Sequence, residues 1–398
     1  MYDVLLKDGE IIDPSQGIHA VGSLAIQDGK IALVEEGISE AEATKVFNME
    51  GKIIVPGLID IHCHPAAGFS FLGVSPDEIG LNTGVTLLCD GGTSGAANFN
   101  ALRSLIVESS KTDILCFLNL SVTGLIKLPE IWDKKCIDVD YSQQIVECNR
   151  DIIKGIKIRA IQAVAEAMGV KAIEMAKKLA NDTGLPLMMH IGETRERVPD
   201  DKMDDFSRAA VSLLEEGDIL SHYLTWEPGG LILKDGTVYP ELEDAKRRGV
   251  VLDSCHGLNH FSFAVVHNAI EKGLLPTVIS TDMASMVLPA AQSLAVVMSK
   301  FLNLGLTLDQ IIEMTTTNPA KVLGEERKRG SLKTGYMADI TVMELVQGEY
   351  IFCDGHAGER MNGNLLLEPR MVFKKGEEMP AYSRYHIPPL FTSMKQKG

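Results

Sequence analysis

From about residue 56 to residue 330 the chain alternates short apolar runs with amphipathic stretches, and this alternation limits the possible folds most. The runs cover residues 58–62, 86–90, 114–120, 153–158, 187–190, 218–222, 250–254 and 277–280. Each is rich in Ile, Val or Leu, as expected of parallel strands covered on both faces. Residues 164–181 form the clearest helical stretch between them, and Gly184-Leu185-Pro186 stops it. Roughly eight strand–helix units in succession favour a closed barrel over an open sheet. The expected fold is therefore α/β, a (β/α)8 TIM barrel over residues 56–330.

The two ends have a different texture. Val4-Leu5-Leu6, Gly9-Glu10-Ile11-Ile12 and Ser23-Leu24-Ala25-Ile26 read as short strands, with Asp8-Gly9 and Asp28-Gly29 as hairpin turns. Ala338-Asp339-Ile340-Thr341-Val342-Met343, Tyr350-Ile351-Phe352 and Arg370-Met371-Val372-Phe373 repeat the pattern. One small β-sandwich domain built from residues 1–55 and 331–385 is expected. The chain carries 54 acidic and 38 basic residues, a net charge of −16. That balance argues against nucleic acid and anionic lipid as partners. With 45% hydrophobic residues, it can bury a large core and is not a disordered chain. The N-terminus has no basic-then-apolar signal, no run reaches a membrane span, and the seven cysteines form no C-x-x-C pair. These features predict a cytoplasmic protein with free thiols and no membrane partner.

The sharpest local signal is Gly57-Leu58-Ile59-Asp60-Ile61-His62-Cys63-His64. Strand residues two apart share a face, so His62 and His64 point together and Cys63 points into the core. They end the first barrel strand, where barrel enzymes place their active sites, and two imidazoles there can hold a divalent metal. His190 ends the fifth strand, His222 the sixth and Asp282 the eighth. Barrel closure brings those ends together. Lys157 lies within the fourth strand, in Lys154-Gly155-Ile156-Lys157-Ile158-Arg159. A lysine buried beside metal ions loses its proton readily and can take up carbon dioxide as a carbamate, becoming an anionic ligand. The competing readings are that Lys157 snorkels outward, or that Lys154 takes its place from deeper in the strand.

The order His62-x-His64, Lys157, His190, His222, Asp282 resembles the binuclear metal-dependent amidohydrolase superfamily, and the likeness extends over nearly the whole chain. It includes Val55-Pro56-Gly57-Leu58-Ile59-Asp60, Asn318-Pro319-Ala320-Lys321-Val322-Leu323-Gly324 and Gly335-Tyr336-Met337-Ala338-Asp339-Ile340. Gly155-Ile156-Lys157-Ile158-Arg159 and Asp253-Ser254-Cys255-His256-Gly257 are similar to an amidohydrolase/deacetylase subgroup that is dihydroorotase-like. The resemblance implies that His62, His64 and Asp282 bind a buried metal and that His190 and His222 bind a more exposed one. It implies that carboxylated Lys157 and a hydroxide bridge the two ions. Zinc is the default for this donor set; manganese, cobalt and iron also fit it. The implied reaction is hydrolysis of an amide or ester bond in a small molecule, with Asp282 as the catalytic proton carrier.

The residues that follow His64 depart from true dihydroorotases. Those carry an arginine shortly after the H-x-H pair, whereas this chain reads His64-Pro65-Ala66-Ala67-Gly68. Arg159, two residues after Lys157, is either a carboxylate clamp or a structural ion pair with Glu193 or Asp90. His256, at the seventh strand end, either binds substrate, caps the pocket or is a hydrogen-bonded loop residue. Thr93 and Ser94 offer hydroxyls in a glycine loop. The leading expectation is a deacetylase or deacylase of a small acylated amino or hydroxy acid. A cyclic-amide hydrolase of dihydroorotase or hydantoinase type shares the chemistry. A non-catalytic dihydropyrimidinase-like scaffold would lose ligands that this chain keeps, and deaminases usually resemble mononuclear sites lacking the strand-four lysine. A homo-oligomer is compatible with these features.

Overall fold

A computed structural model describes residues 1–193, 200–355 and 358–386. Five strands come first: β1 (Tyr2–Asp13), β2 (Ile18–Gln27), β3 (Lys30–Glu35), β4 (Ala43–Asn48) and β5 (Ile53–Pro56). Asp28 and Gly29, both at positive φ, turn β2 into β3 as expected. Asp8-Gly9 does not make a hairpin. It lies inside β1 as a bulge, where pairing jumps from Leu6↔Leu24 to Gly9↔Gly22 and Asp8 takes a φ of 60°. A positive φ serves a bulge as well as a turn, so the dipeptide alone could not decide between them.

Seven parallel strands follow: β6 (Leu58–Cys63), β7 (Val85–Asp90), β8 (Asp113–Asn119), β9 (Ile153–Ala160), β10 (Leu187–Ile191), β11 (Ile219–Ser221) and β12 (Val251–Asp253). Each pairs with its neighbour in sequence, so the sheet winds in one direction. The eighth expected strand is shorter than predicted. Residues 277–283 close the ring through single bridges, Asp253↔Val278 on one side and Cys63↔Met283 on the other. The Asp282 N–H donates to His62 O at 2.7 Å and the His64 N–H to Met283 O at 2.8 Å. Asp282 sits at a φ of 53°, which ends any regular ladder there. The expected helix 164–181 is split into Gln162–Ala167 and Val170–Thr183 by Gly169 at a φ of 60°. Gly184, also left-handed, caps the second piece.

Side chains two apart on each strand build the barrel interior in layers. The lower layer is apolar and includes Ile59, Leu87, Phe117, Met188, Ile219 and Val251. Gly155 makes room for Phe117, whose ring atoms lie 2.3 Å from where a Cβ would stand. One step higher the same strands carry Ser221, Asp253, Lys157 and His190. The barrel thus changes from oily to polar along its axis.

The chain then returns as β13 (Ile340–Cys353), β14 (Arg360–Lys374) and β15 (Glu377–Pro380). These join the first five strands in one sheet, because β13 pairs antiparallel with β5 while β5 pairs parallel with β1. The sheet encloses its own core of Leu6, Leu24, Ile54, Val342 and Phe373, among others. The far half of the β13–β14 hairpin instead packs on the barrel through Phe352, Leu366 and Leu367. Among the described residues no helix is long and apolar enough to cross a membrane.

Candidate metal centre

A cavity of about 300 Å³ opens at the C-terminal end of the barrel strands, lined by His62, His64, Lys157, Arg159, His190, His260 and Asp282. Leu72, Leu125, Leu128, Leu258, Ala284, Met286 and Val287 form its apolar wall. His62 and His64 come from the end of β6, Lys157 from β9 and His190 from β10. His222 and Asp282 follow β11 and the closing segment. His222, Cys255 and Asp282 all hold positive φ, at 64°, 34° and 53°. Such backbone is costly for residues with a Cβ and persists where the surroundings fix it.

Every imidazole in the group has one nitrogen tied to the protein. His62 Nδ1 lies 3.1 Å from Ser221 Oγ and 3.3 Å from Asp253 Oδ2. Asp253 is itself fixed by hydroxyl donors from Ser221 and Ser280. His64 Nδ1 meets Thr93 Oγ1 at 2.8 Å, and the Thr93 N–H donates to Asp90. His190 Nε2 faces Gly192 O at 3.1 Å, and His222 Nδ1 faces Cys255 O at 2.8 Å. A tied nitrogen fixes both ring orientation and tautomer and leaves the other nitrogen free to ligate, the usual support of a metal-binding histidine. His62 Nε2 lies 2.9 Å from Lys157 Nζ and 3.8 Å from an Asp282 oxygen, and His64 Nε2 lies 3.1 Å from the same oxygen.

The electrostatics suit ligation. Burial lowers His62 and takes His190 and His222 well below the ordinary histidine range, so all three are neutral donors near pH 7. Burial also brings Lys157 down to about 8. For Asp282 burial works upward, but the His64 hydrogen bond and the charges of His62, His64 and Lys157 prevail and hold it well below the usual carboxylate range. Close backbone approach completes the fit. A Cβ on Gly91 would stand 2.7 Å from His62 Nε2, and one on Gly92 would stand 2.6 Å from Lys157 Cγ. Among the described residues two groups could hold an ion, His62 with His222, Cys255 and Asp282, and His190 with His222 and His260.

The other expected residues fall in different places. Lys154 lies lower on β9, paired with Glu325 at 2.9 Å. Arg159 reaches the cavity, but its ion-pair partner is Glu130, at 2.7 Å from Nε, rather than Glu193 or Asp90. The Thr93 hydroxyl serves His64, and Ser94 is buried without a hydrogen bond to its hydroxyl. His256 is turned away from the cavity. Its Nε2 lies 2.7 Å from the buried Lys300 Nζ, and its ring stacks on Phe261. His256 is not among the residues that line the cavity.

Sequence reasoning missed His260, Asp253, Asn259 and Glu130. Asp253 shares its barrel layer with Ser221 and was open to the same alternation argument. His260 and Asn259 lie in a loop, where strand register says nothing.

A ring of parallel strands whose open end gathers histidines, a lysine and an aspartate is the active end of a barrel enzyme. The chain belongs to the amidohydrolase family, whose pattern matches residues 53–379. It is 34% identical over 364 residues to a deacetylase of Brucella anthropi, covering 90% of this chain and 87% of that protein. It is 35% identical over 366 residues to a deacetylase of Agrobacterium fabrum, covering 90% and 86%. A crystal structure described as a dihydroorotase superposes with a TM-score of 0.85 at 31% identity, covering 98% of this chain and all of the other. The chain is an enzyme that hydrolyses C–N bonds, of a family that generally binds divalent metals and acts on small molecules.

Proposed function

We propose that this enzyme is a binuclear metal-dependent deacetylase of a small acylated amino or hydroxy acid, cleaving an amide or ester bond. The observation that carries the reading is that four histidines, each with one ring nitrogen tied to the protein, gather with Lys157 and Asp282 at the open end of the barrel. In this reading His62, His64 and Asp282 hold the buried ion, and His190 and His222 hold the exposed one. Carboxylated Lys157 would add an anionic ligand, and zinc would suit the imidazole-rich set. When bound, two such ions supply a water that is deprotonated near neutral pH and a Lewis acid for the substrate carbonyl.

The protein's own groups do the rest. Asp282 is ionised at neutral pH and accepts the proton of the attacking water, then passes it to the leaving nitrogen or oxygen. Arg159, steadied by Glu130, offers a guanidinium to the substrate's acid group. The apolar wall from Leu72 to Val287 takes its side chain and excludes water. The relatives named deacetylases support the acyl reading, and the missing arginine after His64 sets the chain apart from dihydroorotases.

The test is a panel of N-acetyl and O-acetyl acids in both enantiomers, with dihydroorotate and hydantoins included, on zinc-loaded enzyme. Acetate release from one enantiomeric series is expected. Turnover of the cyclic amides alone would move the assignment to a cyclic-amide hydrolase.

A further inference from the structure

His260 has the features of the metal-binding histidines without the strand-end position that marks them. It lies in the loop after β12 and is buried. Its ring centroid is 4.4 Å from that of His222 and 4.8 Å from that of His190, and those two are 4.3 Å apart. One ring nitrogen from each of the three lies within 4.8 Å of the other two. His260 Nδ1 is tied to Thr225 Oγ1 at 2.9 Å, much as His190 and His222 are tied to backbone carbonyls. The remaining nitrogens are His190 Nδ1, His222 Nε2 and His260 Nε2. Three imidazole lone pairs converging on one point repel each other unless a cation stands between them.

The backbone makes room for this arrangement. A Cβ on Gly192 would stand 2.9 Å from Thr225 Oγ1 and 3.0 Å from His260 Nδ1, so any larger residue would displace the pair that aims the ring. A Cβ on Gly257 would stand 3.1 Å from Asp282 Oδ2 and 3.5 Å from His260 Cδ2. Both glycines hold positive φ, at 92° and 56°.

We propose that His260 is a third histidine ligand of the exposed ion, so that His190, His222 and His260 can hold one divalent metal without Lys157. Three histidines with one open position form a recognised catalytic zinc set. The exposed ion then does not depend on carbon dioxide for its retention, whereas the buried ion and the pairing of the two do. The proposal rests on the cavity being a metal centre and is independent of which bond is cleaved.

The test uses cobalt(II) as probe, with elemental analysis for stoichiometry and the visible absorption of the bound ion as a second readout. Lys157→Ala is expected to keep one cobalt per chain, and Lys157→Ala combined with His260→Asn is expected to lose it. His260→Asn keeps a side-chain N–H for Thr225 but has no Nε2. In the otherwise unchanged chain it is expected to weaken retention of the second ion against a chelator by at least about tenfold, the loss that even an outer partner of a metal histidine gives. Metal-free thermal unfolding of His260→Asn and His260→Ala identifies a folded variant for the comparison. Unchanged cobalt content and spectrum in a folded His260 variant would overturn the proposal and leave the deacetylase reading intact. A wild-type chain that binds no cobalt would overturn both.

Discussion

Lys154 and Lys157 lie on one strand, and the two ends of the barrel give them different surroundings. Lys154 pairs with Glu325 at the lower end, while Lys157 is sealed beside His62 with its ammonium form destabilised by burial. Lys157→Ala should abolish turnover and two-ion loading, with partial rescue by a short carboxylic acid, and Lys154→Ala should be mild; metal content and acetate release check both. Asp282→Asn should lower kcat by about 10²–10⁴-fold with a smaller effect on KM, because the carboxylate acts on the proton. His62→Ala and His190→Ala should each reduce metal content as measured by elemental analysis. His62, His190 and Asp282 were legible in the sequence because each ends an apolar run, and Lys157 because a lysine inside such a run is costly to bury. Glu130 and His260 were not, because their positions depend on loop paths that no periodicity encodes. His256 stands close to a strand end, and Lys300 from a distant helix meets its Nε2.

At the scale of elements, the β13–β14 hairpin outgrows the terminal sheet and is fastened to the barrel helix Leu294–Asn303. Asn303 accepts from the N–H groups of Asn364 and Leu365 and donates to Leu365 O at 2.7 Å, while Ser299 Oγ accepts from the Leu367 N–H. Asn303→Ala removes these partly exposed hydrogen bonds, which water can replace in part, and should cost ~0.5–1.5 kcal/mol of stability. Denaturant unfolding gives the magnitude, and faster amide exchange at Asn364 and Leu365 gives the place; metal content should not change. The strand pattern announced both hairpin arms but not their length, because the outer half is partly exposed and its anchor lies on another element. The closing segment was read as a full strand for a related reason: its apolar run is genuine, but the left-handed Asp282 cuts the ladder short.

Over the whole molecule, one ion cluster joins the foot of the barrel to the terminal sheet. Asp113, at the start of β8, meets Lys374 at 2.8 Å and Arg329, and Asp339 meets both cations. Burial alone would raise the Asp113 carboxyl, but Lys374 and Arg329 prevail and bring it to about 2. Its folded value lies below its unfolded one, so its contribution, roughly 2 kcal/mol, is present above about pH 4 and is lost as pH falls toward 2. Asp113→Asn should flatten the acid limb of stability between pH 5 and 2 while lowering stability at pH 7, as read by denaturant melts across pH. The same sheet has a consequence for biosynthesis. β5 gains its partner β13 only after the whole barrel has been translated. At ~5–20 residues per second the ribosome takes on the order of tens of seconds to cover that stretch. For that time the edge of Ile53–Pro56 is open to any passing strand, so the nascent chain is most prone to misassociate before its barrel is complete.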